Sequence, residues 1–225
     1  MPDVTCWTLI ESAADGDRKA REAFVERYLP VVRAYLSARW KGRLSRSELE
    51  DAVQEVFVEC LKDSGVLERN RERRGAGFRA YLFGAVRHIA LRVEEARARK
   101  LDAPRTDSFH AEILPAGDGT SSRLFDRAWA AAIMREAAER QAETARSEGP
   151  AALRRVELLR RLFQEGAKIA ELAREWGVPA ESLHREYAKA RSEFAAALKA
   201  VVAFHVPESD AAVDRECRDL MALLE

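Results

Sequence analysis

The segment 168–191 holds the residues whose types and spacing most clearly indicate contact with nucleic acid. Its first half repeats apolar side chains at helical intervals, at Ile169, Leu172, Ala173 and Trp176. Gly177 follows where a short helix must turn sharply, because glycine adopts a left-handed backbone at little cost. Val178 would fill the angle between two helices, and Pro179 suits the start of the second. The pattern predicts a helix-turn-helix whose second helix enters a DNA major groove.

The second helix of this motif has an apolar side and a polar side. The apolar side is formed by Leu183, Tyr187, Ala190, Phe194 and Leu198. The early outward positions, which are suited to reading base edges or contacting phosphates, are Ser182, His184, Arg185 and Lys189. Glu181 and Glu186 lie on the same helix and would repel phosphate. A plain hairpin of two helices without a DNA role therefore stays an alternative.

A second segment, 78–93, combines arginines with an aromatic side chain. Its predicted buried stripe consists of Phe78, Leu82, Ala85, Ile89 and Val93. Arg79, Phe83 and Arg87 recur at intervals of four on another face, with His88 beside them. Arginine pairs with phosphate and an exposed ring stacks on an unpaired base, so this combination suits single-stranded nucleic acid. The alternative is that Phe83 belongs to the core and that the arginines form a solvated face.

A third segment, 47–61, presents an acidic face. Ser47 and Glu50 have the spacing of a capping box at a helix start. The inward positions are Leu49, Val53, Val56, Phe57 and Cys60. The outward positions, which could pair with a basic partner surface, are Asp51, Gln54, Glu55 and Glu59. By themselves such residues more often form only a solvated face.

Helical periodicity is the only regular pattern in the chain, which predicts an all-α fold. The apolar stripes cover residues 7–14, 23–40, 49–61, 78–93, 124–138, 153–163, 169–176 and 183–202. The segment 101–122 contains Pro104, Pro115, Gly117 and Gly119 and has no stripe, which indicates a linker. The predicted organisation is a first helical domain at 1–100, the linker at 101–122, a second domain at 123–206 and an acidic extension at 207–225, which we expect to form a short helix.

The 38 basic and 38 acidic residues give the whole chain a net charge of zero, but the two signs are distributed unevenly along it. The segment from Arg71 to Lys100 contains nine basic and three acidic residues, whereas the segment from Phe204 to Glu225 contains two basic and six acidic residues. The basic block favours an anionic partner within the Debye length. The acidic tail is predicted to cap the last domain as a solvated amphipathic helix. Its alternative role is autoinhibition, in which Asp210, Asp214 and Asp219 would cover a DNA-reading face.

The sequence lacks the motifs that are typical of several classes of function. The four histidines and three cysteines have no metal-ligand spacing, so we expect no metal and no other cofactor. No phosphate-binding loop, nucleophile elbow or zinc-protease motif occurs, and no enzymatic activity is expected. No apolar run is long enough to span a bilayer, and the start of the chain has no secretory signal. Three widely spaced cysteines favour a reduced, cytoplasmic protein.

Four segments occur in a specific order: 15–24 (DGDRKAREAF), 50–57 (EDAVQEVF), 78–88 (FRAYLFGAVRH) and the helix-turn-helix. In this order and spacing they resemble the extracytoplasmic-function (ECF) class of the sigma-70 family of RNA polymerase sigma factors. The segment 125–129 and the C-terminal tail resemble one subgroup with a C-terminal extension. The resemblance implies a sigma region 2-like bundle and a sigma region 4-like helix-turn-helix domain, joined by a flexible linker.

The resemblance also implies partners and residue roles. The expected partners are core RNA polymerase, through its beta-prime and beta subunits, and promoter DNA; whether an anti-sigma factor binds stays open. Docking on core polymerase would use Asp51, Gln54, Glu55 and Glu59. Melting and reading the minus-ten element would use Arg71, Arg73, Arg74, Arg79, Phe83, Arg87, His88 and Arg92. Reading the minus-thirty-five element would use Ser182, His184, Arg185, Lys189 and Arg191.

The sequence departs from the family pattern at three positions. Tyr81 stands where the family usually has Trp, Gly84 replaces a larger residue, and His88 stands where many members carry an Asn that helps to hold a flipped base. The base preference near His88 therefore stays open. Two other interpretations also stay open. The first is a helix-turn-helix regulator that acts without polymerase, and the second is a helical interaction scaffold or an enzyme with an unrecognised site.

Overall fold

The computed structural model describes residues 5–62, 77–101, 118–206 and 209–224. These residues form nine α-helices and no strand, which confirms the predicted all-α fold. The helices are α1 (Cys6–Ala14), α2 (Arg18–Trp40), α3 (Arg46–Leu61), α4 (Gly77–Leu101), α5 (Asp118–Glu148), α6 (Pro150–Gln164), α7 (Ile169–Glu175), α8 (Ala180–His205) and α9 (Asp210–Ala222). Within this part of the chain, no helix combines the length and apolar character needed to cross a membrane.

The chain divides into two compact units, and the division falls inside α5 between Ala132 and Ile133. This differs from the predicted start of the second domain at residue 123. Residues 118–132 belong to the first unit because their apolar side chains, including Phe125 and Trp129, pack into its core. Most of the predicted linker, 102–117, lies outside the described residues, whereas its last part, 118–122, is helical.

An aromatic cluster forms the centre of the first unit. Tyr28 lies 4.6 Å from Phe78 and 6.1 Å from Trp129 between ring centroids, and its ring stacks on the indole. Phe24 contacts Phe57 edge-on, with 6.1 Å between ring centroids. These rings come from α2, α3, α4 and the start of α5, so the apolar stripes of four helices meet in one core. Burial of large aromatic side chains of this kind dominates core energetics.

Helix α3 begins two residues earlier than its predicted capping box implies. The N-cap is Ser45, whose hydroxyl accepts a hydrogen bond from the Glu48 amide at 3.3 Å. The Glu48 carboxylate in turn accepts one from the Ser45 amide at 2.8 Å. The predicted pair Ser47 and Glu50 is therefore wrong as a cap. Glu50 instead pairs with Arg33 on α2, with Nη2 and Oε2 2.7 Å apart.

The second unit contains the end of α5 and helices α6 to α9. Helix α6 packs against α8, and α7 packs across the start of α8. The predicted C-terminal helix is present as α9, and it packs on α8. Its buried side chains are Val213, Cys217 and Leu220. The acidic extension is therefore part of the second unit from residue 210 to residue 222.

Candidate nucleic-acid interface

The helix-turn-helix is built around a small apolar core. Its fully buried members are Leu158, Leu172, Ala173 and Leu183. Trp176, Val178 and Tyr187 are partly buried against them, as the stripe predicted. Gly177 has a φ of +63°, a left-handed backbone that residues with a Cβ rarely adopt. The two helices and the tight turn predicted from the sequence are therefore present, with α8 as the second helix.

The candidate DNA-reading residues of α8 fall on two sides of the helix. At about 100° per residue, Ser182, Arg185 and Lys189 share one face, whereas His184 and Arg191 lie on the opposite flank. Ser182 is half-buried and the other four are exposed. The side chains of Arg185, Lys189 and His184 make no hydrogen bond or ion pair with another described residue. Their charge and hydrogen-bonding groups are thus available to a ligand.

Arg191 differs because its guanidinium contacts an aromatic ring. Its Cζ lies 5.7 Å from the centroid of the Tyr187 ring. Tyr187 is itself partly buried against the core of the motif. A cation–π contact at an exposed site is weak and leaves the charge accessible. The ring therefore orients Arg191 without neutralising it.

The acidic residue Glu186 of α8 is neutralised by a buried arginine. Arg155 on α6 is 5% exposed, and its guanidinium lies 2.7 Å from Glu193 and 3.6 Å from Glu186. The hydrogen bond to Glu193 raises the pKa of Arg155 above its ordinary value. Because Arg155 draws both carboxylates towards α6, they oppose phosphate binding less than the sequence suggested. Glu181 stays exposed at the start of α8.

In the first unit, the candidate residues on α4 have different surroundings from one another. Arg71, Arg73 and Arg74 lie outside the described residues. Arg79 pairs with Asp126 of α5, and Arg92 pairs with Glu55 of α3. Arg87 is half-buried, whereas His88 is exposed and has no hydrogen bond or ion pair with another described residue. Among the members of this set that the structure describes, His88 is thus exposed without a hydrogen bond or ion pair.

Phe83 is half-buried, whereas stacking on an unpaired base would require an exposed ring. Its ring lies 5.2 Å from the ring of Phe125 and 6.1 Å from that of Tyr35. The alternative interpretation, in which Phe83 belongs to the core, describes this environment better. The physical reason is that the first turns of α5 supply an aromatic neighbour from a distant part of the sequence.

The acidic face of α3 is partly paired within the unit. Asp51 and Gln54 are exposed and have no hydrogen bond or ion pair with another described residue. Glu55 contacts Arg92, and Glu59 contacts Lys62, with Oε2 and Nζ 2.7 Å apart. Within the part of the chain that the structure describes, Asp51 and Gln54 therefore offer a carboxylate and an amide without a polar partner.

The sequence interpretation missed three residues that shape these surfaces. Val58 is 65% exposed on the acidic face of α3, where burial of its apolar side chain by a partner would stabilise a contact. The sequence did indicate this residue, because Val58 is apolar but lies outside the apolar stripe of that helix. No local pattern indicated the ion pairs of Arg155 and Asp126, because their partners are distant in sequence.

Comparison with known proteins adds nothing to this geometry. Neither a protein-family model nor a curated protein matches the sequence. The functional interpretation therefore depends on the residues themselves and on the resemblance of their order and spacing.

Proposed function

We propose that this protein is an ECF-type sigma factor, which binds core RNA polymerase and directs transcription initiation at specific promoters. The observation that carries the proposal is the second helix of the helix-turn-helix, whose early turns expose Arg185 and Lys189 without a partner among the described residues. In a helix-turn-helix this part of the second helix lies in the major groove. Basic side chains there can contact base edges and phosphates.

The two faces of α8 support a division of labour at the minus-thirty-five element. Arg185 and Lys189 point away from the core and would reach the floor of the groove. His184 and Arg191, on the opposite flank, would contact the adjacent phosphates. Phosphate contacts position a protein without specifying sequence, so the base preference would depend mainly on Arg185 and Lys189.

The exposed face of α3 supports docking on core polymerase. Asp51, Gln54 and the exposed apolar side chain of Val58 share one face of α3 by their helical spacing. An apolar centre with a polar, acidic rim suits a basic protein surface, as expected for the coiled coil of the polymerase beta-prime subunit. The two units would then be held by one partner, which raises the effective concentration of each DNA contact.

Promoter melting is proposed for the surface of α4. Extrusion of a base costs a few kcal/mol, and capture of that base offsets the cost. The exposed ring of His88 is suited to stacking or hydrogen bonding with such a base. No covalent step is required, because binding energy alone shifts the duplex towards its open form. Core polymerase, promoter DNA and the sigma factor would form one complex in which this exchange occurs.

Reconstitution with core RNA polymerase tests the proposal directly. The full chain is mixed with core enzyme, and transcription from a promoter library is sequenced. We expect Asp51→Arg to reduce co-purification with core enzyme and Arg185→Ala to reduce initiation without affecting co-purification. Glu95→Arg, an exposed acidic position on α4, is the matched control for the first variant, and Arg146→Ala, exposed on α5, for the second.

The outcomes separate the proposed function from its alternatives. Promoter occupancy that is equal with and without core enzyme would indicate a regulator that acts alone. Unchanged behaviour of both variants, together with no recovery of polymerase subunits, would indicate a helical interaction scaffold. Either result would contradict the proposal.

A further inference from the structure

The first turns of α5 contact Arg79 and Phe83, two residues of α4 that the resemblance assigns to the minus-ten element. The Asp126 carboxylate contacts the Arg79 guanidinium, with Oδ1 2.5 Å from Nη2 and 3.1 Å from Nε. Both side chains are partly shielded, at 28% exposed for Arg79 and 26% for Asp126. A DNA phosphate would compete with this carboxylate for Nε and Nη2 of Arg79.

The neighbouring residue of α5 covers the aromatic part of the same surface. Phe125 is 1% exposed, and its ring centroid lies 5.2 Å from that of Phe83. A base that stacked on Phe83 would compete with Phe125 for the same ring. Adjacent residues of α5 therefore oppose both kinds of contact, ionic and stacking, that single-stranded DNA would make.

Two anchors hold this part of α5 on the first unit. The buried hydroxyl of Ser121 lies 2.6 Å from the Tyr35 hydroxyl and accepts a hydrogen bond from Arg39 Nη1 at 2.7 Å. One helical turn beyond Phe125, Trp129 is 3% exposed and stacks on Tyr28. The contact between Asp126 and Arg79 thus lies between two well-packed points, which keeps Asp126 close to its partner.

We infer that Asp126 is an internal competitor of DNA, which withholds Arg79 from phosphate in the free protein. The inference rests on the proposed function, because it assumes that α4 binds single-stranded DNA. Its consequence is autoinhibition: the free protein binds melted DNA weakly, and displacement of the first turns of α5 exposes Arg79 and Phe83. A carboxylate suits this role because it competes with phosphate for the same guanidinium hydrogen bonds.

A double-mutant cycle on the full chain tests this inference. The probe is a short fluorescein-labelled single-stranded oligodeoxynucleotide of mixed sequence, and its affinity is measured by fluorescence anisotropy. We expect Asp126→Asn to increase affinity about fivefold, the effect of removing a partly exposed ion pair. Arg79→Ala should abolish this gain, because the guanidinium that Asp126 contacts is then absent. Glu139→Gln, an exposed position on the same helix, removes one negative charge and should leave the affinity unchanged.

The outcomes distinguish the inference from the proposed function. A gain with Asp126→Asn that disappears in the Arg79→Ala background supports the inference. If Asp126→Asn gives no gain while Arg79→Ala weakens binding of the otherwise unchanged chain, Arg79 is already available; the inference is then wrong and the proposed function stands. If no variant binds the probe and none supports transcription with core enzyme, both are wrong. Circular dichroism spectra identical to that of the unchanged chain verify that each variant is folded.

Discussion

The Arg39 guanidinium lies edge to edge with the Glu94 carboxylate, with Nε 2.7 Å from Oε1 and Nη2 3.0 Å from Oε2. Trp40 donates an indole hydrogen bond to the same carboxylate at 2.9 Å. The side chain of Arg39 is 3% exposed and that of Glu94 is 14% exposed. This buried pair connects α2 to α4 and, through Ser121, to the start of α5.

We expect Glu94→Gln to destabilise the first unit by about 3 kcal/mol, because it leaves the Arg39 charge buried without its partner. Urea unfolding followed at the Trp40 indole resonance measures the loss, since that group reports directly on this unit. The control is Glu50→Gln, which breaks the exposed pair with Arg33 and should leave the unfolding midpoint almost unchanged. Equal losses of unfolding free energy in Glu94→Gln and Glu50→Gln would contradict the prediction that the buried pair stabilises the first unit more than the exposed pair.

The second unit should lose stability in acid through Glu175. The hydrogen bond from Arg161 holds the pKa of the Glu175 carboxyl below its ordinary value of 4.5. A lowered pKa in the folded state stabilises the fold above the ordinary value, and this contribution is lost as the pH falls through the lowered one.

The expected result is a difference in thermal midpoint between the unchanged chain and Glu175→Gln at pH 7 that disappears on acidification. Fluorescence of Trp176 follows the unfolding of this unit. High salt should shrink the difference at neutral pH, because Glu175 is 51% exposed. A difference that persists unchanged in acid would show that another property of Glu175 is responsible.

The thiols of the first unit should be unreactive in the folded protein. Burial raises the pKa of Cys6 to about 11 and that of Cys60 to about 12, and the thiolate is the reactive form. At pH 8 we expect labelling by a maleimide only after denaturation. A positive control is Phe163→Cys, at a position that is 71% exposed in the second unit. Rapid labelling of Cys60 in the native chain would show that the unit opens locally.

A chain that ends at residue 206 should lose stability rather than gain DNA affinity. Helix α9 packs on α8 and buries Val213, Cys217 and Leu220, and Asp214 pairs with Lys199 at 2.7 Å. Lys199 lies about 21 Å along α8 from Arg185, at roughly 1.5 Å per residue. The contact between Asp214 and Lys199 is therefore remote from Arg185, and we expect the tail to stabilise the second unit rather than to cover the DNA-reading face.

Differential scanning fluorimetry and duplex-DNA binding test this expectation together. Truncation should lower the thermal midpoint and promote aggregation, because the apolar side chains of α8 become exposed. Asp214→Asn removes only the exposed ion pair and should change both measurements little. A truncated chain that is stable and binds DNA more tightly would restore the autoinhibitory role.

Helices, stripes and the helix-turn-helix were predictable because their signals are local. Leu172, Gly177 and Leu183 lie within one short segment, so their spacing alone indicates two helices and the turn between them. The capping box of α3 could not be selected from spacing alone, because two overlapping pairs match it. Both Ser45–Glu48 and Ser47–Glu50 match the spacing, and only the backbone geometry selects the first.

The amino-acid sequence by itself determined that the chain is helical, which face of each helix is apolar, and where α8 exposes basic side chains. Tertiary structure decided which charges stay available. Asp126 lies 47 positions from Arg79, and Ser121 lies 86 positions from Tyr35, so neither partner follows from periodicity. The physical reason is that ion pairs and aromatic contacts depend on which helices meet, and long-range packing sets this after the local pattern has fixed the helices.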